Sequence, residues 1–104
     1  MYDRGRCPSF AIEWDEHKEA ANRRKHRISF DEAKTVFSDD HALLLPDPDH
    51  SVQEDRFVLL GASSTLRTLV VCHCYRQDDT IIRIISARKA DRSERAEYES
   101  RWSP

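Results

Sequence analysis

The residues in this chain best suited to chemistry are arginines, one histidine and one tyrosine, set among strand-like segments. Arg83 stands in the middle of Ile81-Ile82-Arg83-Ile84-Ile85. A strand buried on both faces has no place for a guanidinium, so that face must meet water, a carboxylate or a ligand. Arg56 opens one strand-like segment and Arg88 closes another. Guanidinium groups bind phosphate through paired hydrogen bonds and neutralise charge that develops in a phosphoryl transition state. The competing reading of Arg83 is a structural ion pair with Glu13, Glu54 or Asp55.

His73 lies in Val70-Val71-Cys72-His73-Cys74-Tyr75. It is a candidate general acid or base near neutral pH, although a strand histidine also serves as a packing residue. Alternation puts His73 and Tyr75 on one face and Cys72 and Cys74 on the other. The two thiols therefore cannot share a zinc ion with His73, and Cys7 is remote in sequence. Neither a metal site nor a cofactor is expected. Lys25 belongs to the run Arg23-Arg24-Lys25-His26-Arg27, which either faces phosphate or complements a helix C-terminus. Lys18, Asn22 and Lys25 share helical spacing, which predicts a polar face there. Tyr98 could stack on a base or, like Trp102, pack on a sheet. No Ser-His-Asp arrangement, HExxH motif or paired carboxylates occur, so protease and glycosidase chemistry has no basis. With only Gly5 and Gly61, the chain cannot build a glycine-rich phosphate loop.

The elements that must position these groups follow from periodicity and caps. Phe10, Ile12 and Trp14 alternate as in a strand. Asp15 suits a helix N-cap, with the helix running from Glu16 to about His26. Ser29 and Glu32 have capping-box spacing ahead of a second helix to about Phe37. A short strand, Ala42–Leu45, leads to Pro46 and a turn over Asp47-Pro48-Asp49-His50. Three longer strands are predicted at Arg56–Ala62, Thr65–Arg76 and Thr80–Arg88, joined by hairpin connections. Asp91 and Glu94 begin a last helix to about Trp102. The order β-α-α-β-β-β-β-α predicts an α+β domain, an antiparallel sheet with helices packed on one face. Residues 1–9 are expected to be a flexible leader and residues 10–104 a single domain.

Lys and Arg number 17 against 19 Asp and Glu, so the net charge of −2 argues mildly against a nucleic-acid binder. The charges are segregated, however. Arg83, Arg88, Lys89 and Arg92 cluster, while Asp39, Asp40, Asp47, Asp49, Glu54 and Asp55 gather elsewhere. A chain can be acidic in total and still present a basic cleft. No apolar run approaches the ~18 residues of a membrane span. Three cysteines without framework spacing point to a cytoplasmic setting.

Several segments occur together: Phe10-x-x-Glu-Trp-Asp15, Lys18, Asn22-x-x-Lys25-His26, Ser29-Phe-Asp-Glu-Ala33, Val36-Phe37, Asp47-x-Asp49-His50, Arg56 and Arg83-Ile-Ile-Ser-Ala-Arg88-Lys-Ala90. In this order and spacing, from Phe10 to about Tyr98, the chain resembles the BrnT toxin family. The resemblance implies a RelE-like fold and an RNA-cleaving toxin of a type II toxin–antitoxin module that arrests growth. It also implies neutralisation by a ribbon-helix-helix antitoxin, BrnA-like, in a hetero-oligomer that represses its own operon. DNA would then be contacted only through the antitoxin. The family pattern carries over to Lys25, His26, Arg56, Arg83 and Arg88. It departs at Arg27, where a glycine is expected to end the helix, and at Cys72 and Cys74, where plain hydrophobic residues or Thr are expected. The expected reaction is metal-independent attack of an RNA 2′-hydroxyl on the adjacent phosphorus. Arg83, with Arg56 or Arg88, would stabilise the phosphorane, and His73, Lys25 or Tyr98 would act as acid or base. The alternative is a catalytically inactive binding module, an antitoxin partner and co-repressor that docks through the acidic loop Asp47–Asp55.

Overall fold

The computed structural model describes residues 11–47, 56–77 and 80–101. Its elements are β1 (Ala11–Trp14), α1 (Glu16–His26), α2 (Phe30–Thr35) continued by a 3-10 turn (Val36–Ser38), β2 (Leu43–Pro46), β3 (Arg56–Ala62), β4 (Thr68–Arg76), β5 (Ile81–Lys89) and α3 (Arg92–Ser100). The strands form one sheet in the order β1-β5-β4-β3-β2. β2 to β5 pair antiparallel, as expected from the hairpins, but β1 joins β5 in parallel, so the sheet is mixed. β4 begins only at Thr68, because residues 63–67 form a wider turn. In that turn the Leu66 N–H donates to the Ser63 carbonyl, and Leu66 has φ 67°.

The Asp15 carboxylate caps α1, accepting from the His17 and Lys18 N–H groups at 2.7 and 3.4 Å. Those two hydrogen bonds hold its pKa below the ordinary value. Acidic Glu16 and Glu19 begin the helix and basic residues end it, in the sense the helix dipole favours. Arg27 closes α1 in the left-handed conformation, φ 63° and ψ 28°, at the position where glycine was expected. α1 carries no large apolar residue. Asn22, expected on a polar face, is buried and clamps the helix to the sheet. Its amide nitrogen donates to the Ile28 and Ala87 carbonyls at 3.0 and 2.9 Å, and its oxygen accepts from the Ala87 N–H at 3.1 Å. β1 pairs β5 only as far as Ile84, so this side chain replaces the missing strand partner at Ala87.

Ser29 caps α2 as predicted, by accepting from the Glu32 N–H at 3.1 Å. The Glu32 carboxylate is engaged elsewhere. It binds the Arg67 guanidinium and the Ser63 and Thr65 hydroxyls, which pins α2 to the turn between β3 and β4.

Residues paired across strands share a face of a sheet. One face bears Leu59, Leu69, Val71, Ile84 and Ala87 and packs on Ile28, Phe30, Ala33 and Val36. Trp14 meets Phe30 edge to face at 5.9 Å. The opposite face holds a smaller cluster, in which Tyr98 of α3 and Ala90 cover Leu60 and Val70. The helices thus lie on both faces, not on one. α3 turns back because Asp91 and Glu94 form a full capping box directly after β5.

Candidate nucleic-acid interface

Four strands contribute one transverse row of side chains on the α3 face. Arg56 pairs with Cys74, Cys74 with Arg83, and Arg83 with Glu13. With strands spaced about 4.8 Å, Arg56 and Arg83 start roughly 10 Å apart. α3 covers the far end of this face at Leu60 and Val70 and leaves Arg83 and Glu13 about one-third exposed, at 32% and 39% of the side chain. Arg83 Nη1 donates to Glu13 Oε2 at 2.8 Å, and Arg76 Nη1 donates to the same oxygen at 3.2 Å.

A β-bulge decides the membership of this face. Strict alternation would put Arg83 and Arg88 on opposite sides. Between Cys72 and His73 the register with β5 slips from Ser86 to Ile84, so Ile85 has no opposite residue. Arg88 then emerges opposite Val70, on the face of Arg83. Its guanidinium forks onto Glu94 at 2.8 and 2.9 Å and fastens β5 to α3. The hydrogen-bonded pair raises the Arg88 pKa and lowers that of Glu94. Arg56 is partly buried at the start of β3, where its carbonyl accepts from the Asp47 N–H at 3.0 Å.

The remaining candidates fall outside the row. His73 is fully buried on the opposite face, stacked edge to face on Phe37 at 4.9 Å, with Nδ1 3.1 Å from the Val71 carbonyl. Burial lowers its pKa, so the ring is held neutral. Tyr98 is buried beneath α3, and its hydroxyl donates to Asp39 Oδ2 at 2.6 Å, which leaves no ring face for stacking. Burial alone would raise the Asp39 pKa. Hydrogen bonds from the Ala62 N–H, Tyr98 and the His41 N–H outweigh it, and the group stays below its ordinary value. Lys25 is exposed in the last turn of α1, whose buried groups face Phe30, Ile28 and Ala87 in the other layer. Beside it, Arg23, Arg24 and Arg27 line an open basin of about 530 Å³ with Ala20. That basin also lies away from the row.

Cys72 and Cys74 point to the row's face, as alternation predicted. Burial, together with the Asp47 carboxylate 3.6 Å away, pushes the Cys72 thiol up to about 11, which makes it unreactive at neutral pH. Among the described residues, no three His, Cys, Asp or Glu side chains gather as metal ligands. The described helices include none long and apolar enough to cross a membrane. Trp102 and, apart from Asp47, the acidic loop expected to dock a partner lie outside the described residues.

From the sequence, Glu13 stood out only as a partner for Arg83, and Arg76 not at all. The signal for Glu13 was present, since it alternates with Ile12 and Trp14 and so faces away from the core. What the sequence lacked was the pairing of β1 with β5.

Residues 14–94 match the family model described as the ribonuclease toxin BrnT of type II toxin–antitoxin systems. Comparison with curated protein sequences finds no match. Among solved structures, the chain is similar to the Brucella abortus ribonuclease toxin BrnT, with a TM-score of 0.63 at 24% identity. The alignment covers 81% of this chain and all of the Brucella chain, and it shows the shared fold. With the family model spanning most of its length, this chain belongs to the BrnT family of ribonuclease toxins of type II toxin–antitoxin systems.

Proposed function

We propose that the protein cleaves RNA on the α3 face of its sheet by metal-independent attack of a ribose 2′-hydroxyl on the adjacent phosphorus. The observation that carries this reading is the row Arg56, Cys74, Arg83 and Glu13, with Arg76 beside it and Arg83 and Glu13 open to solvent. Phosphate is trapped best by guanidinium groups converging from rigid strands. Arg83, with Arg56 alongside, neutralises the charge that grows on the phosphorane. Arg88 holds α3 in place through Glu94 and adds positive potential at the end of the face. His73 and Tyr98 are given packing roles, because neither reaches solvent. Lys25 stands on α1 in the other layer and is given no part in the reaction. The products are a 2′,3′-cyclic phosphate and a 5′-hydroxyl.

A type II toxin works against an antitoxin. The partner proposed here is a BrnA-like ribbon-helix-helix protein that binds this chain in a hetero-oligomer and carries the DNA contacts of operon repression. The cytoplasm is where both the RNA and that partner are found.

One observation favours the rival, a module that binds the antitoxin without cutting RNA. Arg83 and Arg88 are each already held by a carboxylate, Glu13 and Glu94. The two readings separate in one assay. Chain freed of its partner is incubated with single-stranded RNA in excess EDTA, and the new ends are mapped. Cleavage to cyclic-phosphate and 5′-hydroxyl ends is expected, with Arg83→Ala slower by about 10²-fold or more while still folded. Equal rates for parent and Arg83→Ala would remove Arg83 from the site. Loss of cleavage on adding EDTA would end the metal-independent reading.

A further inference from the structure

The proposed reaction needs a group that takes the proton of the 2′-hydroxyl, and the acid–base candidates named above stand elsewhere in the fold. His73 is sealed in the opposite face, Tyr98 lies under α3, and Lys25 sits on α1. The carboxylate in the row is Glu13, directly opposite Arg83 on the neighbouring strand. We propose that Glu13 is the general base of this site, an assignment that rests on the RNA-cleaving reading.

Both guanidinium donors fall on one carboxylate oxygen. Arg83 and Arg76 donate to Oε2 at 2.8 and 3.2 Å, while Oε1 accepts no hydrogen bond among the described residues. Oε2 therefore fixes the group and Oε1 is open to a substrate proton. The charged groups facing Glu13 are Arg83 from β5, Arg76 from β4 and, next along its own chain, Asp15, whose carboxylate is turned to the N–H groups of α1. Exposed ion pairs contribute little to stability, about 0–1 kcal/mol, so holding the fold together is a weak reason for this carboxylate at this place. Its β1 neighbours Ile12 and Trp14 pack into the opposite face, which sets the strand rigidly and aims Glu13 with it.

A phosphodiester seated on Arg83 brings its own 2′-hydroxyl to the adjoining carboxylate. Glu13 Oε1 takes the hydroxyl proton as O2′ forms its bond to phosphorus. The bond from phosphorus to O5′ breaks, O5′ leaves with the electron pair, and it takes up a proton from solvent. Glu13 then returns its proton to water.

The test is Glu13→Gln, assayed beside parent and Arg83→Ala on free RNA and on RNA in translating ribosomes. The glutamine oxygen still accepts from Arg83, so a group that only positions the arginine survives the change. The expected result is a fall in kcat of about 10²- to 10⁴-fold with KM little altered, and loss of the acid limb of the pH–rate profile. A kcat within about threefold of parent, or an acid limb that persists, overturns the assignment. If Glu13→Gln does not fold, Glu13→Asp decides. The shorter carboxylate is expected to slow the reaction while keeping the acid limb, and a parental rate overturns the assignment. Cyclic-phosphate ends from parent, impaired Arg83→Ala and active Glu13→Gln sink Glu13 alone. No cleavage by parent on either substrate sinks the RNA-cleaving reading and Glu13 with it.

Discussion

The Glu32 carboxylate is the most strongly held acid in the described chain. The hydrogen-bonded Arg67 guanidinium, with the Ser63 and Thr65 hydroxyls, draws its pKa down from 4.5 to about 2 despite partial burial. A carboxylate with a depressed folded-state pKa adds stability that is complete above its unfolded value and is lost as pH falls toward the folded one. The window here runs from pH 4.5 down to about 2. The contribution is about 2 kcal/mol after allowing for solvent screening at the arginine, which is about one-third exposed. His73 adds an earlier loss of the same sign. Burial keeps it neutral in the fold, while the unfolded chain binds a proton below its ordinary 6.5. Chemical denaturation at stepped pH is expected to show parent and Glu32→Gln losing stability in parallel down to pH 4.5. Below that the parent should fall more steeply, and parallel curves throughout would refute the role given to Glu32. Arg27 is the opposite kind of residue, a non-glycine in a left-handed helix end that costs on the order of 1 kcal/mol.

Among the elements, α1 is held in an unusual way for a helix on a sheet. Helices normally dock through an apolar stripe. This one docks through Asn22 and through Glu19, which accepts from the Phe30 N–H and from Arg23. Asn22→Leu keeps the branching and the number of heavy atoms and removes three hydrogen bonds, and it strands the Ala87 N–H and carbonyl and the Ile28 carbonyl. The expected cost is about 3 kcal/mol, read as a lower urea midpoint at unchanged slope. An unshifted midpoint would mean that water replaces the amide. Close approach fixes another junction. A Cβ on Gly61 would meet Ala42 Cβ and Asp39 Oδ2 at 2.9 Å and Val36 Cγ1 at 3.0 Å. Only glycine lets the segment after α2 lie against β3, where Asp39 gathers Ala62, His41 and Tyr98.

Among the described residues, basic groups stand on both sides of the sheet. One side of the sheet presents the Arg56, Arg83 and Arg76 group, and the other carries α1 with its basin of Arg23, Arg24 and Arg27. If RNA lies on the α3 face, phosphate contacts are lost only when arginines of that face are removed. Single-stranded RNA binding measured against salt is expected to lose about 0.7 from the log–log slope for each of Arg56→Ala and Arg83→Ala. Arg24→Ala should leave the slope unchanged. A drop with Arg24→Ala would mean that the strand wraps round to the basin. The net charge of −2 conveys none of this, because a sum over the chain hides how the charges are placed.

Local chemistry was legible without coordinates. Asp15, Ser29 and Asp91 announced three helix starts, since a cap needs only its own side chain and the next turn's N–H groups. Alternation assigned His73 and Cys72 to opposite faces correctly, because pleating is a property of a single strand. The family, too, could be read from motif order. Tertiary structure decided whatever depends on residues distant in sequence. The bulge at Ile85 brought Arg88 round to the face of Arg83, and parallel pairing set Glu13 beside Arg83 across 70 residues of chain. Burial made Asn22, read only as part of a polar face, into a clamp, took Tyr98 out of solvent, and closed His73 into the core. Each of these outcomes rests on which strands pair and which face a helix covers. Those choices are made by packing the whole core, and no window of sequence contains them.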